Sequence, residues 1–314
     1  HTHRAALLAQ VVDLDSLMAW IDAHSQEIDH NPAAWCALEL ALLDLIARDR
    51  DQTVEGLLNL PALAGPFMYS AILGVTEIKQ FSEIFARYQK LGMRNYKIKL
   101  SGDIDCDRER MVLFHASSIS PQNVRADANN LWSDRSIAQA YLEKLAYPFA
   151  ALEEPLQPGQ FADLAALAQT FSTRIVLDES ITRVEQLAPL PGDPRQWIVN
   201  LRVSKMGGLL RSLALAERCK ASGIDLVVGA QVGETSLLTR AALVVAQTAR
   251  DIVIAQEGAF GTLLLETDAV QPSLMFGPGG ALDVAAIPMR NAKGWGLTPL
   301  AEVAAPDTLL ARKT

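Results

Sequence analysis

The sequence predicts an α/β protein built on a closed, parallel barrel of eight strands. From Phe67 onward, short apolar stretches typical of strands alternate with stretches of three to four helical turns. Charged residues recur near the ends of successive strands at intervals of 25 to 28 residues, about the length of one strand, one helix and two loops. Such alternation favours parallel pairing, and eight strands allow the sheet to close.

Composition limits the classes of partner. The chain has 314 residues, half of them hydrophobic, which is enough for one barrel of about 250 residues and a smaller part. The net charge of −8, without a basic cluster, argues against binding to nucleic acid or to an anionic membrane. No apolar run approaches the roughly 20 residues that span a bilayer. We therefore expect a small-molecule partner and, by default, a homo-oligomer.

Cysteine use and the first residue bear on location. Cys36, Cys106 and Cys219 are few, odd in number and far apart, which favours a reducing cytoplasm over a disulfide framework or a zinc site. No signal peptide is visible. Because the chain begins at His1 without a methionine, we expect that an upstream segment was removed or is lacking.

Residues 1–65 are predicted to be helical. Leucine, valine and methionine recur at helical spacing over residues 5–21, and Asn31-Pro32 resembles a cap followed by a first-turn proline. Residues 33–47 are apolar nearly all round, which predicts a helix buried between layers. Asn59-Leu60-Pro61 and Gly65-Pro66 mark a boundary.

The barrel elements follow in order. Strands are predicted at residues 68–73, 95–100, 124–129, 149–153, 174–178, 197–204, 225–230 and 252–256. Helices are predicted at residues 78–91, 108–117, 134–145, 161–170, 208–223 and 236–249, and another is predicted to open at Thr182, with Glu185 at capping-box spacing. Beyond Gly280 the tail is expected to be irregular, with a short helical piece near Leu300, and to pack over the N-terminal helices.

Five charged side chains are predicted to meet at one mouth, since the carboxyl ends of parallel barrel strands form a ring. They are Lys99, Asp127, Glu153, Asp178 and Lys205. Three converging carboxylates repel one another unless a cation lies among them. Oxygen ligands without histidine or cysteine favour Mg²⁺, with Mn²⁺ as an alternative.

The two lysines predict the reaction class. Lys99 follows the second strand and Lys205 the sixth, so they face each other across an eight-stranded ring. A lysine can act as a base only if its pKa is lowered, and Lys97, on the same face as Lys99, and a dication would both lower it. This arrangement indicates removal of a proton next to a carboxylate, with a metal stabilising the enediolate.

These motifs together resemble the enolase superfamily, in its muconate lactonizing enzyme subgroup. The motifs are Lys97-Ile98-Lys99, Asp127-Ala128-Asn129, Glu153-Glu154-Pro155, Asp178-Glu179-Ser180 and Ser204-Lys205-Met206-Gly207-Gly208. The resemblance implies a (β/α)₇β TIM-like barrel with Mg²⁺ on the three carboxylates. It also implies Lys99 and Lys205 as the acid/base pair, with Lys97 in electrostatic support. Asn129 and Glu179 would hold the metal ligands in place.

The sequence also departs from this family. The family has an N-terminal α+β capping domain, and here only its helical half is present, so we expect residues 1–65 to be a partial cap, 66–285 the catalytic barrel and 286–314 a segment packing back on the cap. The mandelate racemase branch has a histidine at the seventh strand, where this chain has Gly229-Ala230-Gln231. Dipeptide epimerases carry an aspartate pair after the eighth strand, where this chain has only Glu257. Gln231 and Glu257 are therefore candidate substrate-binding residues.

Several functions remain open. Dehydration of the o-succinylbenzoate synthase kind is favoured, because the aspartate pair is missing and the cap is short. Racemisation or epimerisation of N-acylamino acids or dipeptides is the alternative, followed by cycloisomerisation of a muconate. Outside this chemistry, the chain could be a catalytically silent barrel scaffold, or an aldolase that forms a Schiff base through Lys99 or Lys205.

Overall fold

The fold is taken from a computed structural model that describes residues 4–287, 289 and 292–300. Residues 301–314 of the predicted C-terminal segment, with most of the helical piece expected near Leu300, lie outside the described residues. Among the helices described, none is both long and apolar enough to cross a membrane.

Twelve strands form one large parallel sheet and two small antiparallel pairs. They are β1 Pro66–Met68, β2 Ala71–Leu73, β3 Tyr96–Lys99, β4 Val124–Asp127, β5 Ala151–Glu153, β6 Arg174–Leu177, β7 Trp197–Leu201, β8 Asp225–Val228, β9 Val253–Gln256, β10 Val270–Gln271, β11 Ala281–Asp283 and β12 Thr298–Pro299. Strands β2 to β9 pair in chain order, each parallel to the next. A parallel bridge between Tyr69 and Gln256, with Ser70 N donating to Gln256 O at 2.8 Å, closes the ring. The predicted barrel is confirmed.

Helices precede the barrel and connect its strands. They are α1 Arg4–Gln10, α2 Leu14–Ala23, α3 Ser25–His30, α4 Pro32–Asp49, α5 Val54–Leu57, α6 Ile78–Leu91, α7 Ile104–His115, α8 Arg135–Leu145, α9 Phe161–Phe171, α10 Val203–Met206, α11 Leu209–Ser222 and α12 Ser236–Thr248. The predicted helix before Gly223 is α11, and Gly223 ends it with φ +72°, a left-handed conformation that glycine adopts freely.

The barrel interior changes from apolar to polar along the strands. An apolar floor is formed by Ala151, Val176, Ile198, Val227 and Ala255. Because side chains alternate between the two faces of a strand, the residues two positions further along also face inward. In the same order these are Glu153, Asp178, Asn200, Gly229 and Glu257. The polar site therefore lies directly above the floor, at the carboxyl ends of the strands.

The strand predicted at residues 68–73 is two strands with different partners. Strand β1 pairs antiparallel with β11, whereas β2 joins the barrel. Between them, Tyr69 N donates to Gly280 O at 2.8 Å, and the next residue, Ser70, bonds to Gln256. The apolar pattern is continuous across this exchange of partners, so it carries no sign of the break.

The fifth crossover lacks the predicted α-helix. Two 3₁₀ turns, Val184–Leu187 and Pro194–Gln196, lie between β6 and β7 instead, because prolines at 189, 191 and 194 prevent an α-helix from continuing. The capping side chain is Gln186 rather than Glu185. Its Oε1 accepts hydrogen bonds from Thr182 N at 2.7 Å and Arg183 N at 2.9 Å.

Helix α4 is anchored to the barrel by a buried carboxyl group. Glu39 accepts hydrogen bonds from Leu210 N at 3.0 Å, at the start of α11, and from Trp35 Nε1 at 3.2 Å. Gly208 is required beside it, since a Cβ at that position would overlap the Glu39 carboxylate. The space beside Gly208 is thus filled by a side chain of the protein.

The described part of the C-terminal segment packs on the N-terminal helices. Trp295 is buried, and its Nε1 donates to Leu40 O at 2.8 Å while its backbone N donates to Asp44 Oδ1 at 2.8 Å. Gly294 N donates to Gln52 O at 2.8 Å. These contacts join residues 292–297 to α4 and to the loop that follows it.

Stability is expected to fall with rising pH because of Glu39. Burial raises the pKa of Glu39 to about 7, so the folded state favours the neutral form. That preference stabilises the protein at pH 5 and is lost as pH rises through 7. Glu39→Gln removes the titration. By the usual conversion its free energy of unfolding should gain about 3 kcal/mol relative to wild type between pH 5 and pH 8.

Urea unfolding at the two pH values measures this difference. The exposed residue Glu109, changed to Gln, is the matched control and should track the wild type. A Glu39→Gln difference that is constant with pH would contradict the assignment.

Candidate active site

Pairing between neighbouring strands brings the predicted residues of the mouth together. Lys99 on β3 is in register with Asp127 on β4, which is in register with Glu153 on β5. Asp178 follows β6 directly and lies on the same face as the inward-facing Val176. All three carboxylates are buried.

Lys97 is an internal counter-ion for three of the carboxylates. Its Nζ lies 2.9 Å from Glu257 Oε2, 3.0 Å from Glu153 Oε1 and 3.2 Å from Asp127 Oδ2. Burial alone lowers the pKa of Lys97, but these carboxylates outweigh burial and raise it above its ordinary value. Lys97 thus remains a fixed positive charge inside the barrel, and its electrostatic support of Lys99 stays a prediction.

Lys99 is the lysine that reaches the open mouth. Its side chain is 33% exposed, and its Nζ lies 3.3 Å from Asp127 Oδ2 and 2.5 Å from Asn129 Oδ1. Asn129 has φ +44° and its backbone N donates to Asp127 Oδ1 at 3.0 Å. Asn129 therefore holds both the lysine and the neighbouring carboxylate.

Glu154 orders the loop that carries Asp178. Its Oε1 accepts hydrogen bonds from Asp178 N and Ser180 N, both at 2.8 Å, and its Oε2 accepts one from Ser180 Oγ at 2.9 Å. Burial raises the pKa of Glu154 to about 7. The second glutamate of the Glu153-Glu154-Pro155 motif thus positions the neighbouring loop, a role that the sequence alone did not indicate.

Lys205 does not enter the mouth in the manner of Lys99. It lies on α10, past the end of β7, and its Nζ donates to three oxygens: Asp178 O and Oδ1, both at 2.6 Å, and Asn200 O at 2.8 Å. Burial lowers the pKa of Lys205 to about 7, and the guanidinium of Arg202 acts in the same direction. The expected lowering of pKa is thus present on this lysine, but its cause is burial and Arg202.

Arg202 is the charged residue that sequence reasoning missed. Ile198 and Asn200 face inward, so alternation places Arg202 on the same side, at the mouth. Its guanidinium pairs with the Asp178 carboxylate, and its Nη1 donates to Gln231 Oε1 at 3.1 Å. Counting in twos from the apolar Ile198 would have identified it. The same count identifies Arg125, two residues before Asp127.

The remaining candidates differ in position. Glu257 is buried, with Oε1 2.8 Å from Arg125 Nη1; burial favours its neutral form, but Lys97 and Arg125 outweigh burial and lower its pKa to about 2. Gln231 is exposed and receives the Arg202 hydrogen bond. Glu179 is exposed beside Asp178. Glu257 is thus occupied by protein cations, whereas Gln231 and Glu179 lie at the rim.

The three carboxylates are the type of ligand that a hard divalent cation prefers. Their side chains, however, are not arranged around a common point in this structure. Within the described residues, no group of three His, Cys, Asp or Glu side chains is arranged to hold a metal ion. Each carboxylate is turned toward a cation: Asp127 to Lys97 and Lys99, Glu153 to Lys97, and Asp178 to Lys205 and Arg202. Asp127 Oδ2 lies within ion-pair distance of both lysines, 3.2 Å from Lys97 Nζ and 3.3 Å from Lys99 Nζ.

A family-wide profile described as "Enolase C-terminal domain-like" matches residues 80–303, most of the chain. The chain belongs to the enolase superfamily. The match covers β3 to β9 and thus every site residue named above. The relatives of the chain place it in the muconate lactonizing enzyme subgroup, as the motifs predicted.

Two curated relatives show the range of this subgroup. A hydrophobic dipeptide epimerase of Enterococcus faecalis is 25% identical over 76% of this chain and 66% of its own length. An o-succinylbenzoate synthase of Bacillus subtilis is 25% identical over 63% of this chain and 55% of its own length. The chain therefore spans about half to two thirds of the length of these two relatives.

Solved structures resemble the whole fold. The muconate lactonizing enzyme from Pseudomonas putida superposes with a TM-score of 0.73 and 25% identity, over 93% of this chain and 79% of that chain. A dipeptide epimerase from Methylococcus capsulatus, complexed with Mg ion, superposes with a TM-score of 0.74 and 25% identity, over 92% and 81%. The superfamily fold thus extends beyond the matched profile, into the N-terminal helices.

Glu257→Gln should destabilise the folded protein. The change leaves the buried cations Lys97 and Arg125 without one of their counter-ions. Breaking such a buried pair costs about 3 kcal/mol in free energy of unfolding. Urea unfolding at pH 7 measures the loss, with the exposed Glu266→Gln as matched control. Equal stability of the two variants would show that Glu257 is not needed as a buried counter-ion.

Proposed function

We propose that this protein removes the α-proton of a small carboxylate substrate, with Lys99 as the base. The observation that carries the proposal is the position of Lys99: an amine at the open mouth, 3.3 Å from Asp127, above a buried cluster of carboxylates. Removal of the proton leaves an enediolate, whose negative charge the surrounding cations stabilise. The relatives named as epimerases and synthases support this reaction class.

The proposed cofactor is Mg²⁺, with Asp127, Glu153 and Asp178 as its ligands. Three buried carboxylates on consecutive strands have the ligand chemistry that this ion prefers, with no histidine or cysteine among them. A bound Mg²⁺ would act as a Lewis acid toward the substrate carboxylate. Of the chain's own residues, Lys97 pairs with the buried carboxylates of Glu153 and Asp127, and Asn129 orients Lys99.

Within this class, we favour dehydration of the o-succinylbenzoate synthase kind. A substrate with a free α-ammonium group needs an unpaired carboxylate beyond the eighth strand. Glu257 is the carboxylate at that position, and it is fully engaged by Lys97 and Arg125. This pairing supports a substrate without a free ammonium group, such as a succinylbenzoate precursor or an N-acylated amino acid.

Epimerisation with two bases is the second candidate. The lowered pKa of Lys205, about 7, favours it, because such an amine is partly neutral at physiological pH. Lys205 would have to release its contacts with Asp178 and Asn200 before it could reach a substrate. A muconate-type cycloisomerisation uses the same groups in the reverse direction.

The domain division belongs to this proposal as well. Residues 1–65 would form a partial cap, 66–285 the catalytic barrel and 286–314 a segment returning to the cap. The Glu39 contact with α11 and the Trp295 contacts with α4 support the two junctions. The cytoplasmic location and homo-oligomeric assembly stay predictions of the sequence.

Lys99→Met should abolish proton removal. Loss of a general base lowers kcat by about 10²- to 10⁴-fold. Proton NMR in D₂O with Mg²⁺ would follow loss of the α-proton signal from the o-succinylbenzoate precursor and from N-succinylamino acids. Lys144→Met, on an outer barrel helix, is the matched control and should keep the wild-type rate. Wild-type exchange by Lys99→Met would refute the role of Lys99, and an inert wild type would favour the scaffold.

Asp127→Asn should weaken Mg²⁺ binding. The change removes the charge of one proposed ligand, and loss of a supporting contact alone typically costs about 10- to 100-fold in metal affinity. Isothermal titration calorimetry measures the affinity without substrate. The exposed Asp105→Asn is the matched control. Equal affinities in the two variants would remove Asp127 from the metal site.

A further inference from the structure

The end of strand β7, the sixth strand of the barrel, presents an arginine, rather than a lysine, to the mouth. Ile198, Asn200 and Arg202 alternate inward, and Asn200 Nδ2 donates to Glu153 Oε1 at 2.8 Å, deep in the site. Arg202 continues this row by one step toward the opening. Its strand lies four positions around the ring from the strand of Lys99, so the two cations face each other across the mouth.

The neighbouring strand is shaped to admit this arginine. Gly229 N donates to Leu201 O at 2.8 Å, which sets Gly229 beside Arg202. A Cβ at Gly229 would overlap Asn200 Oδ1 and press on Arg202 Cγ. The absence of a side chain at Gly229 therefore provides the space that the arginine stem occupies.

Two side chains of the protein hold the Arg202 guanidinium in place. It pairs with the Asp178 carboxylate and donates to Gln231 Oε1, and its side chain is 15% exposed. Its Nε has no hydrogen-bond partner among the residues described. Arg202 thus brings a positive charge to the mouth, while its Nε atom is itself buried.

Lys205 is a poor substitute on the same side. Its three ammonium protons are already donated, to two backbone carbonyls and to Asp178 Oδ1. These bonds tie the end of β6 to the end of β7, and Arg202 also pairs with Asp178 there. Lys205 is therefore a cross-link of the barrel, and Arg202 is the group that a substrate meets.

We propose that Arg202 faces the substrate opposite Lys99 and confines proton transfer to the Lys99 face. A guanidinium keeps its proton, so it stabilises an enediolate by charge and hydrogen bonds but cannot remove a proton. Reaction from one face excludes inversion of the α-carbon. The inference rests on the proposed function and deepens it by excluding racemisation.

The resulting dehydration balances within the chain's own groups. Lys99 takes the α-proton, and the electrons of the broken C–H bond are delocalised onto the substrate carboxylate as the enediolate. They then form the carbon–carbon double bond as the β-hydroxyl group leaves. The departing hydroxide takes the proton back from Lys99 and leaves as water. The substrate class is thus a β-hydroxy carboxylate whose hydrogen and hydroxyl group lie on the same face, and no second base is needed.

Exchange of the α-proton tests the stereochemistry. N-succinyl-L-phenylalanine and its D enantiomer are incubated separately with the Mg²⁺-loaded wild type in D₂O. The expected result is loss of the α-proton from one enantiomer with retention of configuration, as read by NMR and chiral chromatography. In Arg202→Lys, a second base at this position should add measurable inversion. Inversion by the wild type at a rate comparable with exchange would overturn the inference.

Binding supplies a second readout that does not need turnover. A hydroxamate that mimics the enediolate is titrated by calorimetry into Mg²⁺-loaded wild type, Arg202→Met and the exposed control Arg195→Met. The affinity of Arg202→Met should fall by about tenfold or more, as expected for loss of a charged hydrogen-bond partner, while the control is unchanged. Circular dichroism checks that each variant folds.

The outcomes separate the two proposals. Exchange by the wild type with unchanged hydroxamate affinity in Arg202→Met overturns the role of Arg202 and leaves the proposed function standing. A wild type that neither exchanges protons nor binds the hydroxamate overturns the proposed function and, with it, this inference.

Discussion

The ammonium group of Lys97 lies inside the barrel within 3.2 Å of carboxylates from three other positions on the ring, Asp127, Glu153 and Glu257. Buried carboxylates are costly when unpaired, and a single ammonium cannot neutralise three of them. Arg125 and Lys99 supply further positive charge around the cluster. The geometry of the mouth depends on this network, since its ion pairs join the ends of β3, β4, β5 and β9 to one another.

Small residues determine where the large polar ones can lie. Gly229 leaves room for Asn200 and Arg202, and Gly208 leaves room for Glu39 against α11. In both places the substitution of a single methyl group would displace a buried polar side chain. Close packing thus determines the residue type even at these two glycines, which carry no functional group of their own.

Period-two and period-3.6 patterns predicted the eight strands and nearly all crossover helices, because each strand is short, apolar and bounded by clear turn residues. Strand-end charges also predicted the residues that meet at the mouth, including Lys99 and Asp127. The exchange of partners at Tyr69 was not predictable, since it depends on Gly280 and Gln256, which are distant in sequence. Arg202 follows from the same alternation along β7 as Ile198 and Asn200, but its place at the mouth depends on the space left by Gly229 on the next strand.

Closure of the ring depends on one contact between distant parts of the chain. Ser70 and Gln256 are separated by 186 residues, and their bond completes a barrel whose other seven pairings join consecutive strands. Until β9 has been synthesised, β2 has an exposed edge with unpaired backbone groups. At 5 to 20 residues per second, this interval is roughly 10 to 40 s. A nascent chain therefore carries an open sheet edge, able to pair with another strand, throughout this interval.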